Sequence, residues 1–75
     1  MNPEYIETGE PEDICIEECA ELIKAICKAQ RFGYDNFNPD DPEKETNLQR
    51  VISEMNDVEN AMDMLDKKLT RLCGY

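Results

Sequence analysis

A chain of 75 residues has room for one small domain, which on folding hides only roughly 60% of its unfolded surface. Eighteen acids against eight bases give a net charge of −10, which argues against nucleic-acid backbones and anionic membranes as partners. A phosphate-rich ligand is compatible with such a chain only where a divalent cation stands between the two sets of negative charge.

Residues 1–11 read as an extended N-terminal arm, because Pro3, Gly9 and Pro11 oppose regular structure. That arm is polar and acidic and has no secretory apolar region. The rest, 12–75, reads as a single helical domain. Its first helix is expected over 12–32, with a proline and acids in the first turn and Gly33 as the C-terminal cap. At about 100° per residue, Cys15, Ile16, Cys19, Leu22, Ile23, Ile26 and Cys27 form one broad apolar face. Glu17, Lys24 and Lys28 lie opposite, and Glu18 sits on the rim between Leu22 on one side and Ile14 and Ala25 on the other. Cys15, Cys19 and Cys27 share this helix and cannot easily bridge one another. With Cys73 they are expected to be reduced thiols of a cytoplasmic protein. Zinc is not expected, since the chain has no histidine and no C-x-x-C pair.

The segment "YDNFNPDDP" predicts a loop over 33–41, and Asp41-Pro42 supplies an N-cap and first-turn proline for a second helix over 42–73. Along that helix Leu48, Val51, Met55, Val58, Met62, Leu65, Leu69 and Leu72 repeat with 3-4 spacing, a heptad seam in which Met55 and Met62 are expected to be core. No run approaches the roughly 20 apolar residues of a membrane span. The fold class is therefore all-α: an antiparallel helical hairpin that forms a four-helix bundle on dimerisation, because one hairpin cannot cover both of its apolar stripes.

Two pairs of carboxylates border these stripes. Glu18 and Glu21 stand i, i+3 on the first helix, and Glu54 and Asp57 stand i, i+3 on the second. Brought together across the hairpin, four carboxylates repel one another, and desolvation adds to that cost. Magnesium is a hard cation that prefers oxygen ligands, and it relieves the conflict. From the residues alone, a metal site and a solvated acidic face remain equally open.

"EECAE" followed by "EMND", with the flanks "EECAELIKAI" and "ISEMNDV", resembles the E-E-x-x-E … E-x-x-D signature of the MazG-like all-α nucleoside triphosphate pyrophosphohydrolases over residues 14–66. The pattern departs from that family in a longer gap between the motifs, and in an extended arm where relatives carry a helix. The resemblance implies hydrolysis of a nucleoside or deoxynucleoside triphosphate to monophosphate and pyrophosphate, with magnesium or manganese as cofactor. It implies Glu18, Glu21, Glu54 and Asp57 as metal ligands and Glu17 as an extra acid orienting ligand or water. Lys24, Lys28, Arg31 and Arg50 are the nearby cations for phosphate oxygens, although Lys24 and Arg50 lie close enough to acids to pair with them instead. Tyr5, Tyr34 and Phe37 can stack on a base or cap the core. Self-association as a dimer or tetramer is expected. Two alternatives stand beside this reading: a nucleotide-binding module with reduced catalysis, and a non-enzymatic acidic helical interaction protein.

Overall fold

The computed structural model describes residues 10–74. Residues 1–9, which hold Tyr5 and most of the expected arm, lie outside them. Helix α1 spans Pro11–Phe32 and helix α2 spans Asn47–Cys73; they pack against each other, and no strand is formed among the described residues. None of the described helices is long and apolar enough to cross a membrane.

Local chemistry fixes both ends of α1. Pro11 occupies the first turn, where its missing N–H is no loss, and Glu12 and Asp13 complement the positive end of the helix dipole. The extended Glu10 precedes them, and its carbonyl accepts from Asp13 N at 3.0 Å and Ile14 N at 3.2 Å. At the other end Gly33 takes φ +98°, a backbone conformation that a Cβ would strain, and its N–H returns to Ala29 O at 2.8 Å.

The second helix begins later than Asp41-Pro42 predicts. Asp41 instead holds the loop: its Oδ1 accepts from Glu43 N and its Oδ2 from Glu45 N, each at 3.0 Å. These two bonds stabilise the ionised form and hold the Asp41 carboxyl below its ordinary value. Lys44 then adopts φ +53°, which breaks helical continuity. The N-cap is Thr46, whose hydroxyl accepts from Gln49 N at 3.1 Å while Gln49 Oε1 accepts from Thr46 N at 2.9 Å. This reciprocal capping box satisfies two N–H groups that helix geometry leaves over. Loop carbonyls take the next two, Asn47 N donating to Asn36 O at 2.8 Å and Leu48 N to Tyr34 O at 3.0 Å. Asn47 Nδ2 donates to Gly33 O at 2.8 Å, so the start of α2 is tied to the end of α1.

The packed seam is also rotated from the expected heptad. On α2 the residues turned toward α1 are Asn47, Val51, Glu54, Val58, Ala61, Leu65 and Lys68, all buried or half-buried. On α1 they are Glu18, Leu22, Ala25, Ile26 and Ala29. Val51, Val58 and Leu65 belong to both versions of the seam. Met55 and Met62, expected in the core, are about half exposed at 46% and 55%. The reason lies in α1: Ala25 and Ala29 are its buried residues, and small side chains allow close approach only where α2 presents Val51 and its neighbours. Of the broad α1 face, Ile16, Ile23 and Cys27 likewise remain outside the contact. No large side chain is fully buried among the described residues. A core below roughly 70–80 residues seldom supplies more than about 3–5 kcal/mol, and this one, built on Ala25, Ala29 and Val51, falls at the weak end.

A cross-link from Lys68 fastens the open end of the hairpin. Lys68 Nζ bonds both oxygens of Glu12, at 2.7 and 2.8 Å, and Glu10 Oε2 at 3.0 Å. The bonds to Glu12 and Glu10 raise the Lys68 ammonium above its ordinary value, and the bond from Lys68 lowers the Glu12 carboxyl. Lys68 gave no signal in the apolar heptad, yet it continues the 4-3 spacing of the seam that forms.

Candidate metal centre

Glu18 faces α2 from the middle of α1, and Glu54 and Asp57 face it from adjacent turns of α2. One carboxylate oxygen from each of these three residues lies within 4.8 Å of the other two. They grade from the seam outward: Glu54 is buried at 7% exposure, Glu18 is half-buried and Asp57 is exposed. Burial pushes the Glu18 carboxyl above its ordinary value, and the charges of Asp57, Glu54, Glu21 and Glu17 push it further in the same direction.

The donor set suits a hard divalent cation. With metal–oxygen distances of about 2.1 Å, an octahedral magnesium ion holds its ligand oxygens roughly 3–4 Å apart, so only a small closure of this cluster would be needed. All three donors are carboxylate oxygens, with no thiol or imidazole to favour a softer metal.

Glu21, the fourth expected ligand, is exposed and stands outside this group of three. It lines the adjoining hollow between the helices with Lys24, Ala25, Lys28, Arg50 and Glu54. Glu17 is half-buried and is not in the group; its Oε2 is buried without a hydrogen-bond partner among the described residues.

The four expected cations separate clearly. Lys28 and Arg50 line both the hollow beside Glu54 and the next one, which reaches the loop at Asn38, Asp41, Glu45 and Asn47. Arg50 is already paired, its Nε 3.1 Å from Glu45 Oε1 and its Nη1 3.3 Å from Glu54 Oε1. Lys24 and Lys28 make no ion pair among the described residues. Arg31 lies in a separate hollow with Cys27 and Phe32, into which Lys24 and Lys28 also reach. At the opposite end of the cluster Glu18 and Asp57 border a hollow with Ile14, Asn60, Ala61 and Met64. Asn60 went unremarked in the sequence, where an isolated asparagine in a polar helix carries no signal. Tyr34 and Phe37 are exposed on the loop.

The chain was compared with protein-family models, with curated proteins and with solved structures, and no match was found in any of the three.

Proposed function

We propose that this chain is a metal-dependent nucleoside triphosphate pyrophosphohydrolase of the MazG-like kind, converting a nucleoside or deoxynucleoside triphosphate to monophosphate and pyrophosphate. The observation that carries the reading is the convergence of Glu18, Glu54 and Asp57 from two helices onto one point beside a cleft lined by Lys28 and Arg50. Magnesium or manganese, when bound, would supply the positive charge that triphosphate oxygens require. Glu18, Glu54 and Asp57 would hold the ion, and Glu21 would join from the adjoining hollow. Glu17 would orient ligand or water, and Lys24, Lys28 and Arg50 would take phosphate oxygens. Arg31, in its separate hollow, is the least well placed of the cations for that role. Two hairpins would associate into a four-helix bundle.

The test is a panel of nucleoside triphosphates incubated with magnesium or manganese and assayed for pyrophosphate. Release of pyrophosphate from at least one of them, lost with chelator and in Asp57→Asn and Glu21→Gln variants of unchanged helical content, is the expected result. Silence across the whole panel, or full turnover in both variants, overturns the reading. The half-exposed stripe of Ile52, Met55 and Met62 favours a second reading, an acidic helical interaction protein without catalysis. A thermal midpoint indifferent to millimolar magnesium would support that alternative.

A further inference from the structure

Positive charge collects on the C-terminal part of α1. Between Glu21 and Asp35 the chain has no acid, and it has Lys24, Lys28 and Arg31. Three bases and no acid give that stretch a charge of +3, within a chain of net charge −10. All three side chains are exposed, and none makes an ion pair among the described residues. Together with Cys27 and Phe32 they line one hollow, and no acidic side chain enters its wall. The other three hollows described above each hold two acids: Glu21 and Glu54, Asp41 and Glu45, or Glu18 and Asp57. The helix dipole does not account for this clustering. Its influence fades within the last turn, which holds Arg31 but neither lysine.

We infer that the acid-free hollow is a second anion site, which binds a diphosphate group without a divalent ion and retains the pyrophosphate released at the metal centre. The inference rests on the proposed function for the source of that pyrophosphate; the binding itself does not depend on it.

Charge and spacing select the ligand. Two joined phosphoryl groups carry about three to four negative charges, which three cations nearly balance. Lys24 and Arg31 lie about 10 Å apart along the helix axis, with Lys28 between them, so a diphosphate seated there meets cations from both ends. Arg31 can grip two oxygens through its planar fork, whereas the lysines act as point charges. The negative end of α1 opposes an anion near Arg31, but it amounts to only about half a charge against three full ones. At the metal centre an ion is required because the acids themselves repel phosphate. Here the wall holds no acid, and the cations suffice. Lys24 and Lys28 also line the cleft beside Glu54. A diphosphate in the outer hollow therefore draws both cations away from that cleft, and retained product competes with substrate.

The experiment titrates inorganic pyrophosphate into the whole, metal-stripped chain at constant ionic strength, followed by calorimetry and by amide NMR shifts. Arg31→Gln and Lys24→Gln are compared with wild type, and Lys67→Gln, a change at a base paired with Asp63, is the control for bulk charge. Saturable binding at one site is expected, with shifts centred on residues 24–32 and weaker binding of orthophosphate. Each of the two test variants should weaken binding by about two- to fivefold, the usual weight of one exposed charge contact, and the control should not. These side chains are exposed, so the variants should keep their helical content, which circular dichroism checks. No saturation by about 10 mM, an equal loss in Lys67→Gln, or shifts confined to the cleft at Glu54 would each overturn the inference. Saturable binding without hydrolysis of any nucleotide keeps the diphosphate site but removes the product role together with the proposed function. Hydrolysis without metal-free binding of pyrophosphate removes this inference and spares the proposed chemistry.

Discussion

Arg50 Nη1 lies 3.3 Å from Oε1 of Glu54, and this arginine is the only hydrogen-bond partner of that buried carboxylate among the described residues. The guanidinium side chain is itself 57% exposed, so solvent weakens the attraction that it offers. Glu54 is thus a desolvated anion beside two further acids, held by one long bond. Arg50→Ala is expected to destabilise the metal-free protein by about 1 kcal/mol, since it leaves Glu54 without that bond. If the cluster takes a divalent ion, millimolar magnesium should recover the loss, because an ion bound to the folded state alone stabilises it by roughly 2.7 kcal/mol at a hundredfold excess over Kd. Urea titrations followed by circular dichroism, with and without magnesium, measure both effects.

Glu18 gives the cluster a pH signature. Its carboxyl is raised above the ordinary value of 4.5, by burial first and then by Asp57, Glu54, Glu21 and Glu17. A group whose folded pKa is raised binds its proton more tightly in the native state. Its stabilising contribution is fully present below the unfolded value and is lost as pH rises through the folded one. Acidification from neutrality should therefore improve the relative stability of wild type over Glu18→Gln, until pH reaches about 4.5. Glu12 and Asp41, both lowered, act with the opposite sign at lower pH but are common to both proteins and cancel in the difference. Parallel thermal melts of the two proteins between about pH 7 and pH 4.5, in chelator, provide the measurement. A difference in midpoint that stays constant over this range would show that neither burial nor its neighbours' charge perturbs Glu18.

The start of α2 makes a separate prediction. Thr46 and Gln49 exchange side-chain bonds with each other's backbone, whereas Asp41 holds only the loop ahead of them. Thr46→Ala is expected to cost about 1 kcal/mol, the usual value of an N-cap. Pro42→Ala should leave helical content unchanged, since residue 42 lies outside both helices. Hydrogen exchange at the first turn of α2 would separate the two variants: faster in Thr46→Ala and unaltered in Pro42→Ala.

That contrast also marks how far the sequence could be read. The helical periods of both segments, the cap at Gly33 and the loop between the helices were legible because each follows from local backbone chemistry. Asp41-Pro42 offers an N-cap, but the cap that forms, Thr46 with Gln49, lies five residues further on. The choice between them was made by the carbonyls of Tyr34 and Asn36, which a one-dimensional reading does not bring near Leu48 and Asn47. The rotation of the seam was hidden for a similar reason. A stripe wide enough for two partners does not say which half meets the neighbouring helix, and Ala25 and Ala29 decided it through size. At the candidate site, the position of both carboxylate pairs beside the apolar stripes of an antiparallel hairpin was enough to anticipate that Glu18, Glu54 and Asp57 could meet. It could not separate Glu21, one turn beyond Glu18, from that group.

The same alanines permit a test of the seam itself. Ala29 is 1% exposed and belongs to the small core with Ala25 and Val51. Adding a branched side chain there would force α2 away from α1 or drive a rotamer into strain, and overpacking of this sort costs roughly 1–3 kcal/mol. Ala29→Leu should therefore lower the urea midpoint clearly, despite leucine's good helix propensity. Ala20, exposed on the same helix, is the control: Ala20→Leu should change stability by less than about 0.5 kcal/mol. Because the acidic cluster spans this seam, Ala29→Leu should also weaken any stabilisation by manganese, while Ala20→Leu leaves it intact. Equal midpoints for the two variants would mean that the helices do not meet through Ala29, and the convergence of Glu18 with Glu54 and Asp57 would lose its structural basis.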